Sequence, residues 1–205
     1  MEPTPAEAAL VGAARDAGFT FIHKNNHHLD IEVLGQAERW TPLRVLEFNS
    51  TRKRMSVIVR SPEGRLIMYS KGADSVIMAR LRKDHDQEII ASTQHDLETM
   101  ANAGLRTLLV GYRYLDEQEY FDWSRTYDAA SSALRDRDEE MEKACETIEQ
   151  NLVILGATAL EDRLQAGVPD TIEQLHQAGI KLWVRRGQAA SVSRAETDGT
   201  PTCRF

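Results

Sequence analysis

Strict alternation marks one stretch of this chain. Met55, Val57 and Val59 alternate with Ser56, Ile58 and Arg60, the period of a β-strand. Residues 66–71 are rich in β-formers and predict a returning strand. Between them Ser61-Pro62-Glu63-Gly64 has turn chemistry: Ser first, Pro setting φ at the second position, Gly fourth. A turn centred on those four residues pairs Lys71 with Arg54, beside Lys53, and Phe48 lies just beyond the same end.

The pattern predicts further elements on both sides. Thr4-Pro5-Ala6-Glu7 opens a helix, with Thr4 as N-cap, Pro5 at the first helical position and Glu7 completing a capping box. Its small residues end near Gly18. Residues 19–22, 29–34 and 43–48 predict strands. Residues 75–82 and 93–103 predict helices, the second stopped by Gly104. Residues 106–115 predict a strand with Arg106, Leu108, Val110 and Tyr112 on one face. Residues 117–149 form a long charged stretch, two helices broken around Arg135-Asp136-Arg137.

The character changes near residue 151. Residues 152–160 are an almost continuous apolar run, as in a strand buried on both faces. Val168-Pro169-Asp170 starts a helix that ends at Gly179, and residues 180–184 predict another buried strand. Strand, helix and strand together predict a parallel βαβ unit. The expected division is therefore 1–150, 151–184 and an aperiodic, disordered 185–205.

Composition narrows the classes. The chain has 205 residues, 41% hydrophobic and 28% charged, which suits one ordinary domain and part of another. A formal charge of −7 argues against general nucleic-acid binding, so no nucleic-acid partner is expected. Cys145 and Cys203 are too few and too far apart for a disulfide framework or a zinc site, which suits a reducing compartment. The histidines are scattered, His27-His28 falls in a polar loop, and no metal site is expected. No apolar run reaches membrane-spanning length and no signal peptide is visible, so the chain itself is expected to be soluble and cytoplasmic.

Within this acidic chain, residues 48–74 gather an aromatic, the basic run Arg52-Lys53-Arg54 and Lys71. Such groups suit a nucleotide. A base stacked on an aromatic face gains about 1–3 kcal/mol, and lysine offers a point charge to phosphate oxygens. The plainer alternative is that the basic run is a solvated strand edge that discourages aggregation. Both stand at this point.

FNSTRKRMSV followed by YSKGAD resembles the nucleotide-binding domain of P-type ATPases, in the phospholipid-transporting (flippase) subfamily. TPAEAALVGAARDAGFTF resembles that subfamily's acidic entry helix, GLRTLLVGYRYLDEQEY its next signature, and NLVILGATALEDRLQAGVPDTIEQLHQAGIKLWV the return into the phosphorylation domain. The four blocks lie in order across residues 4–184.

The resemblance implies an α+β fold, a twisted antiparallel sheet flanked by helices, followed by the partial phosphorylation domain. It implies an ATP pocket. Phe48 would stack on adenine, and Lys53 and Lys71 would line the pocket, with Gly72 allowing close backbone approach. Arg106 would reach the phosphates and Glu7 would sit near the adenine amino group. Asp162, in Glu161-Asp162-Arg163, would help dock the nucleotide against the phosphorylated aspartate. Each residue also has an ordinary structural explanation, Glu7 as a capping-box member and Arg106 as a strand-end cation.

Two departures shape the expectation. The family's phosphorylated aspartate, in Asp-Lys-Thr-Gly-Thr, is absent, so no catalytic residue is expected in this chain. After Lys181-Leu182-Trp183-Val184 the family continues into Thr-Gly-Asp, whereas here Arg185-Arg186-Gly187-Gln188 follows; a truncated gene, a retained intron or a shifted frame each produces such a tail. The expected activity is thus that of a parent pump on the cytosolic face of a membrane. It would use ATP, Mg²⁺ held by residues outside this chain, phospholipid reached only through membrane segments outside it, and an accessory subunit. One alternative is a non-catalytic remnant that acts as an interaction module through residues 117–149. Another is a haloacid-dehalogenase-type hydrolase, but Glu161-Asp162-Arg163 lacks the spacing that chemistry needs.

Overall fold

The computed structural model describes residues 5–25, 27–161 and 167–183. The chain divides into two compact units, Met1–Asp162 and Arg163–Phe205. The first opens with α1 (Pro5–Asp16), followed by β1 (Phe19–Lys24), β2 (Leu29–Val33) and the long β3 (Gln36–Asn49). The hairpin β4 (Arg54–Arg60) and β5 (Leu66–Gly72) comes next, then α2 (Asp74–Met78), α3 (Gln87–Asn102) and β6 (Arg106–Leu115). It closes with α4 (Glu117–Ser131), α5 (Arg137–Ile148) and β7 (Val153–Leu160). Thr4, the expected cap of α1, lies outside the described residues.

The seven strands form one antiparallel sheet in chain order, β1 to β7. β3 carries the sheet around: residues 36–40 pair with β2, and residues 41–49 pair with β4. Irregularities between Pro42 and Arg44 and between Leu46 and Asn49 bend its second half. Bulges of this kind re-aim the side chains beside them. The α+β architecture expected from the motifs is therefore the one observed.

Helices cover one face of the sheet. Ile77 of α2, Leu97 of α3, Trp123 of α4 and Ile148 of α5 meet Leu46, Ile58, Met68 and Leu109 in a single buried core. Each such side chain withdrawn from water contributes about 1.5–3 kcal/mol. Trp123 Nε1 donates to the Ala144 carbonyl at 2.8 Å and ties α4 to α5. Arg44 donates to Asp128 at 2.7 Å and ties β3 to α4. Side-chain caps start two helices: Asp86 accepts from Glu88 N and Asp116 from Gln118 N, each at 2.8 Å. The break between α4 and α5 falls where expected, and Asp136 there takes a left-handed φ of 53°.

The hairpin register differs from the expected one by a residue. Arg54 pairs with Gly72, and Met55 pairs with Lys71. Ser61 N donates to Arg65 O and Gly64 N to Ser61 O, each at 2.9 Å, with Gly64 at φ +84°. The loop thus has three residues and a left-handed glycine, a common hairpin closure. Cross-strand partners share a face, so Lys71 joins Met55 and not Arg54. Arg54, Ser56 and Ile58 point under the helices, while Met55, Val57 and Val59 take the partly exposed face.

Three further expectations are corrected. The helix expected over residues 75–82 stops at Met78, because the chain then bridges to the start of β7: Leu152 N donates to Arg80 O at 2.9 Å and Arg82 N to Leu152 O at 3.0 Å. α3 starts earlier than residue 93 because Asp86 caps it. β7 is neither parallel nor buried on both faces. It pairs antiparallel with β6, its residues are mostly half-buried, and Leu155 is exposed. That pairing keeps residues 153–160 in the first unit, so the compact division lies past the composition change at 151.

In the second unit, α6 (Val168–Gln177) starts after Gly167 at φ +83°, with Pro169 in its first turn. Residues 180–183 carry no strand. Val184 and the expected disordered tail 185–205 lie outside the described residues.

Gly72 gives this fold a direct test. A Cβ there would stand 2.6 Å from Arg54 Cβ and 2.7 Å from Lys53 O. A Cβ at Gly156 meets nothing within 4 Å. Gly72→Ala is expected to cost about 1–3 kcal/mol in urea denaturation, and Gly156→Ala to stay within about 0.5 kcal/mol of the parent. Equal midpoints for the two variants would contradict the close strand approach.

Candidate functional site

The basic run sits in the turn that joins β3 to β4. Asn49 organises it: its side-chain oxygen accepts from Arg52 N at 2.6 Å and its carbonyl from Lys53 N at 2.9 Å. Lys53 has a left-handed φ of 51°, uncommon for a residue with a Cβ. Its carbonyl accepts from Ala73 N at 3.1 Å, which ties the turn to the end of β5.

Arg52 and Arg54, on either side of Lys53, turn inward and are buried. Their partner is Glu149, directly after α5, with no exposed surface. Arg52 Nη2 donates to Glu149 Oε1 at 2.5 Å and Arg54 Nε to Oε2 at 2.8 Å. Ser56 Oγ lies 2.5 Å from Glu149 Oε1 and 2.9 Å from Ser70 Oγ. A single hydroxyl proton serves one of these contacts, so Ser56 donates to the carboxylate and accepts from Ser70. Arg54 also pairs with Glu146, which pairs in turn with Arg80. Burial pushes the Glu146 carboxyl up, but Arg54 and Arg80 outweigh it and hold the group below its ordinary value.

Neither sequence-based view of Arg52-Lys53-Arg54 survives intact. The run is no open positive patch, and no solvated edge either. Two of its cations are interior and neutralised, and Lys53 alone is exposed.

The expected site residues fall as follows. Phe48, at the end of β3 beside the bulge, is 60% exposed and presents an open ring. Lys71 is half-buried on the face away from the helix-covered core, beside Met55 and Val110. Gly72 is buried and makes its close approach to the backbone of Lys53 and Arg54. Phe48, Lys53, Lys71 and Gly72 thus stand at one end of three adjacent strands. Arg106 is exposed and opens β6 at that same end of the sheet. Glu7 is half-buried in the first turn of α1, which packs on β1, two strands from β3. Asp162 lies outside the described residues.

A cleft of about 490 Å³ adjoins the turn, walled by Phe48, Thr51, Arg52, Tyr127, Met141 and Cys145 among others. Of the expected site residues that are described, only Phe48 lines it. Burial pushes the Cys145 thiol and the Tyr127 hydroxyl up, so the cleft holds no activated nucleophile from either group. Among the described residues no group of His, Cys, Asp and Glu could hold a metal ion. Among them, too, no helix is long and apolar enough to cross a membrane.

Glu146 and Glu149 were hidden in the charged stretch 117–149. The available signal was position: they flank the apolar edge made by Cys145 and Ile148 at the end of α5.

The antiparallel sheet with its helical cover is consistent with an α+β nucleotide-binding domain. Residues 3–167 match the family described as P-type ATPase, cytoplasmic domain N, and the chain belongs to that family. It is 49% identical over 184 residues to phospholipid-transporting ATPase DNF1 of Chaetomium thermophilum, which covers 90% of this chain and 12% of that protein. It is 47% identical to phospholipid-transporting ATPase dnf2 of Schizosaccharomyces pombe, covering 90% and 13%. It is 46% identical to phospholipid-transporting ATPase IC of Homo sapiens, covering 90% and 14%. The chain therefore spans only 12% to 14% of the length of these relatives.

Glu146 makes the buried network sensitive to acid. Its folded value lies below the ordinary 4.5, so its ion pairs stabilise the fold above that pH and lose their effect as pH falls through the lower folded value. Glu146→Gln is expected to lower the urea midpoint at neutral pH, and the gap to the parent should close in acid, once the pH has fallen below the ordinary carboxylate value and through the lower folded one. A gap that stays constant with pH would contradict the assignment.

Proposed function

We propose that this chain is the ATP-binding portion of a phospholipid-translocating P-type ATPase, and that it positions ATP for phosphoryl transfer to an aspartate outside the chain. The observation that carries this is the pairing of an open aromatic ring at Phe48, at the end of β3, with an exposed, left-handed Lys53 in the turn that follows. Lys71 stands two strands over from Phe48 at the same end.

In this proposal the Phe48 ring takes the adenine face, where stacking is indifferent to hydrogen-bond pattern. Lys53 and Lys71 attract the phosphate oxygens, and Arg106 extends the cationic edge along β6. Glu7 approaches the adenine amino group from α1. Gly72 keeps β5 close enough to the turn for the two lysines to share one framework. Residues 151–184 lead into the phosphorylation domain, with Asp162 docking the nucleotide there. Phosphoryl transfer depends mainly on positioning and electrostatic stabilisation, and such a domain supplies the first.

Mg²⁺ would neutralise phosphate charge in the parent pump, held by residues beyond this chain. Phospholipid and an accessory subunit would meet the parent through its other segments, on a membrane whose cytosolic face carries this domain. The interaction-module alternative would use α4 and α5 as a docking surface. Those helices give Trp123, Cys145 and Ile148 to the core, which favours a structural role for that side of them.

Calorimetric titration of the chain with ATP tests the proposal. Phe48→Ala is expected to weaken binding by about 5–150-fold, the equivalent of losing one stacking contact. Lys71→Ala is expected to weaken ATP more than adenosine. Omitting Mg²⁺ should change the affinity of this chain little. No heat and no competition with a fluorescent ATP analogue would overturn the proposal.

A further inference from the structure

We infer that Glu149 is a positioning residue for Lys53, and through it for the phosphate end of the bound nucleotide; this rests on the nucleotide-binding proposal above. A lysine in the left-handed region persists only where its surroundings over-determine it. Here they do so from both sides. One carboxylate draws Arg52 inward through Oε1 and Arg54 inward through Oε2. With both neighbours held in the interior, Lys53 is left as the exposed member of the run.

The backbone completes the clamp. Lys53 N donates to Asn49 O, one residue after Phe48, and Lys53 O accepts from Ala73 N, two residues after Lys71. The peptide units of Lys53 are therefore tied to the strand end carrying Phe48 and to the one carrying Lys71. The Glu149 carboxylate bonds to Arg52, Arg54 and Ser56 rather than to Phe48, Lys53 or Lys71, yet it fixes the turn on which the spacing of those three depends. Because the carboxylate is fully buried, no water competes for its two arginines. Arg54 has a second partner in Glu146, but Arg52 makes its one ion pair among the described residues with Glu149. Without the Glu149 charge the Arg52 guanidinium keeps a neutral bond, Nη1 to Glu47 O at 3.0 Å, whereas Arg54 keeps an ion pair, so the Arg52 side of the turn loosens first.

A double-mutant cycle on ATP affinity tests this, with adenosine as a ligand that lacks phosphate. Glu149→Gln is expected to weaken ATP roughly fivefold to tenfold in the parent background and to add nothing once Lys53→Ala is present. Adenosine affinity should stay within about twofold, since stacking on Phe48 does not need Lys53. Equal losses for ATP and adenosine, or effects that simply add, would show a general structural role and overturn the inference. If Glu149→Gln gives no folded protein, Glu149→Asp is read in the same cycle. It keeps the charge but is one methylene too short to hold both arginines, and an additive or absent effect there overturns the inference equally. Should Phe48→Ala weaken ATP while the Glu149 variants do not, the inference alone falls. Should the parent chain bind no ATP, the nucleotide proposal falls and takes the inference with it.

Discussion

A fully buried carboxylate needs partners, and Glu149 has three donors on its two oxygens. Stripping one partner from a buried ion pair costs about 3–5 kcal/mol, a large share of a domain's stability. The donors come from the turn and strand 93 to 97 residues earlier in the chain. The end of α5 is thereby joined to β4 through charge, while Ile148 joins it to the same sheet through apolar packing. Arg80 extends the network through Glu146 to the segment after α2. The turn that follows Phe48 and bears Lys53 is held by interior charge, and Lys53 is left exposed on its outer surface.

This division sorts the sheet into two faces of different purpose. Beneath the helices, Arg54, Ser56, Ile58, Met68 and Ser70 mix hydrogen-bonded polar groups with core hydrocarbon. The other face carries Met55 and Lys71, and further along it Tyr69, Tyr112 and Tyr114 in aromatic contact. The three-residue hairpin loop decides which side Lys71 occupies. One residue fewer in that loop would put Lys71 opposite Arg54, beneath the helices and beside a buried guanidinium.

Much of this was legible in the sequence, and for identifiable reasons. Local pattern located part of each of the seven strands, though only residues 43–48 of β3 (Gln36–Asn49), and the two halves of the charged helical stretch, because alternation, apolar runs and helical spacing depend on near neighbours. The motif strings around Phe48 and Lys71 pointed to the right family. Three features were hidden because they depend on distant partners. Met55, Val57 and Val59 are the more apolar alternate set of β4, yet Arg54, Ser56 and Ile58 are the buried one, because Glu149 folds back onto it. The hairpin register turned on Gly64 taking a left-handed conformation inside the loop. The run 152–160 is equally apolar whether it lies parallel between helices or antiparallel beside β6, and it is the pairing with β6 that decides.

The central claim is that nucleotide binds at the strand end that carries Phe48, Lys53 and Lys71. Amide chemical shifts of the ¹⁵N-labelled chain, followed during titration with ATP, test it most directly. The expected result is a contiguous set of shifts over residues 48–55 and 71–73, weakened by Phe48→Ala. Shifts confined to α4 and α5 around Tyr127, Arg137 and Met141, or none at millimolar nucleotide, would contradict it.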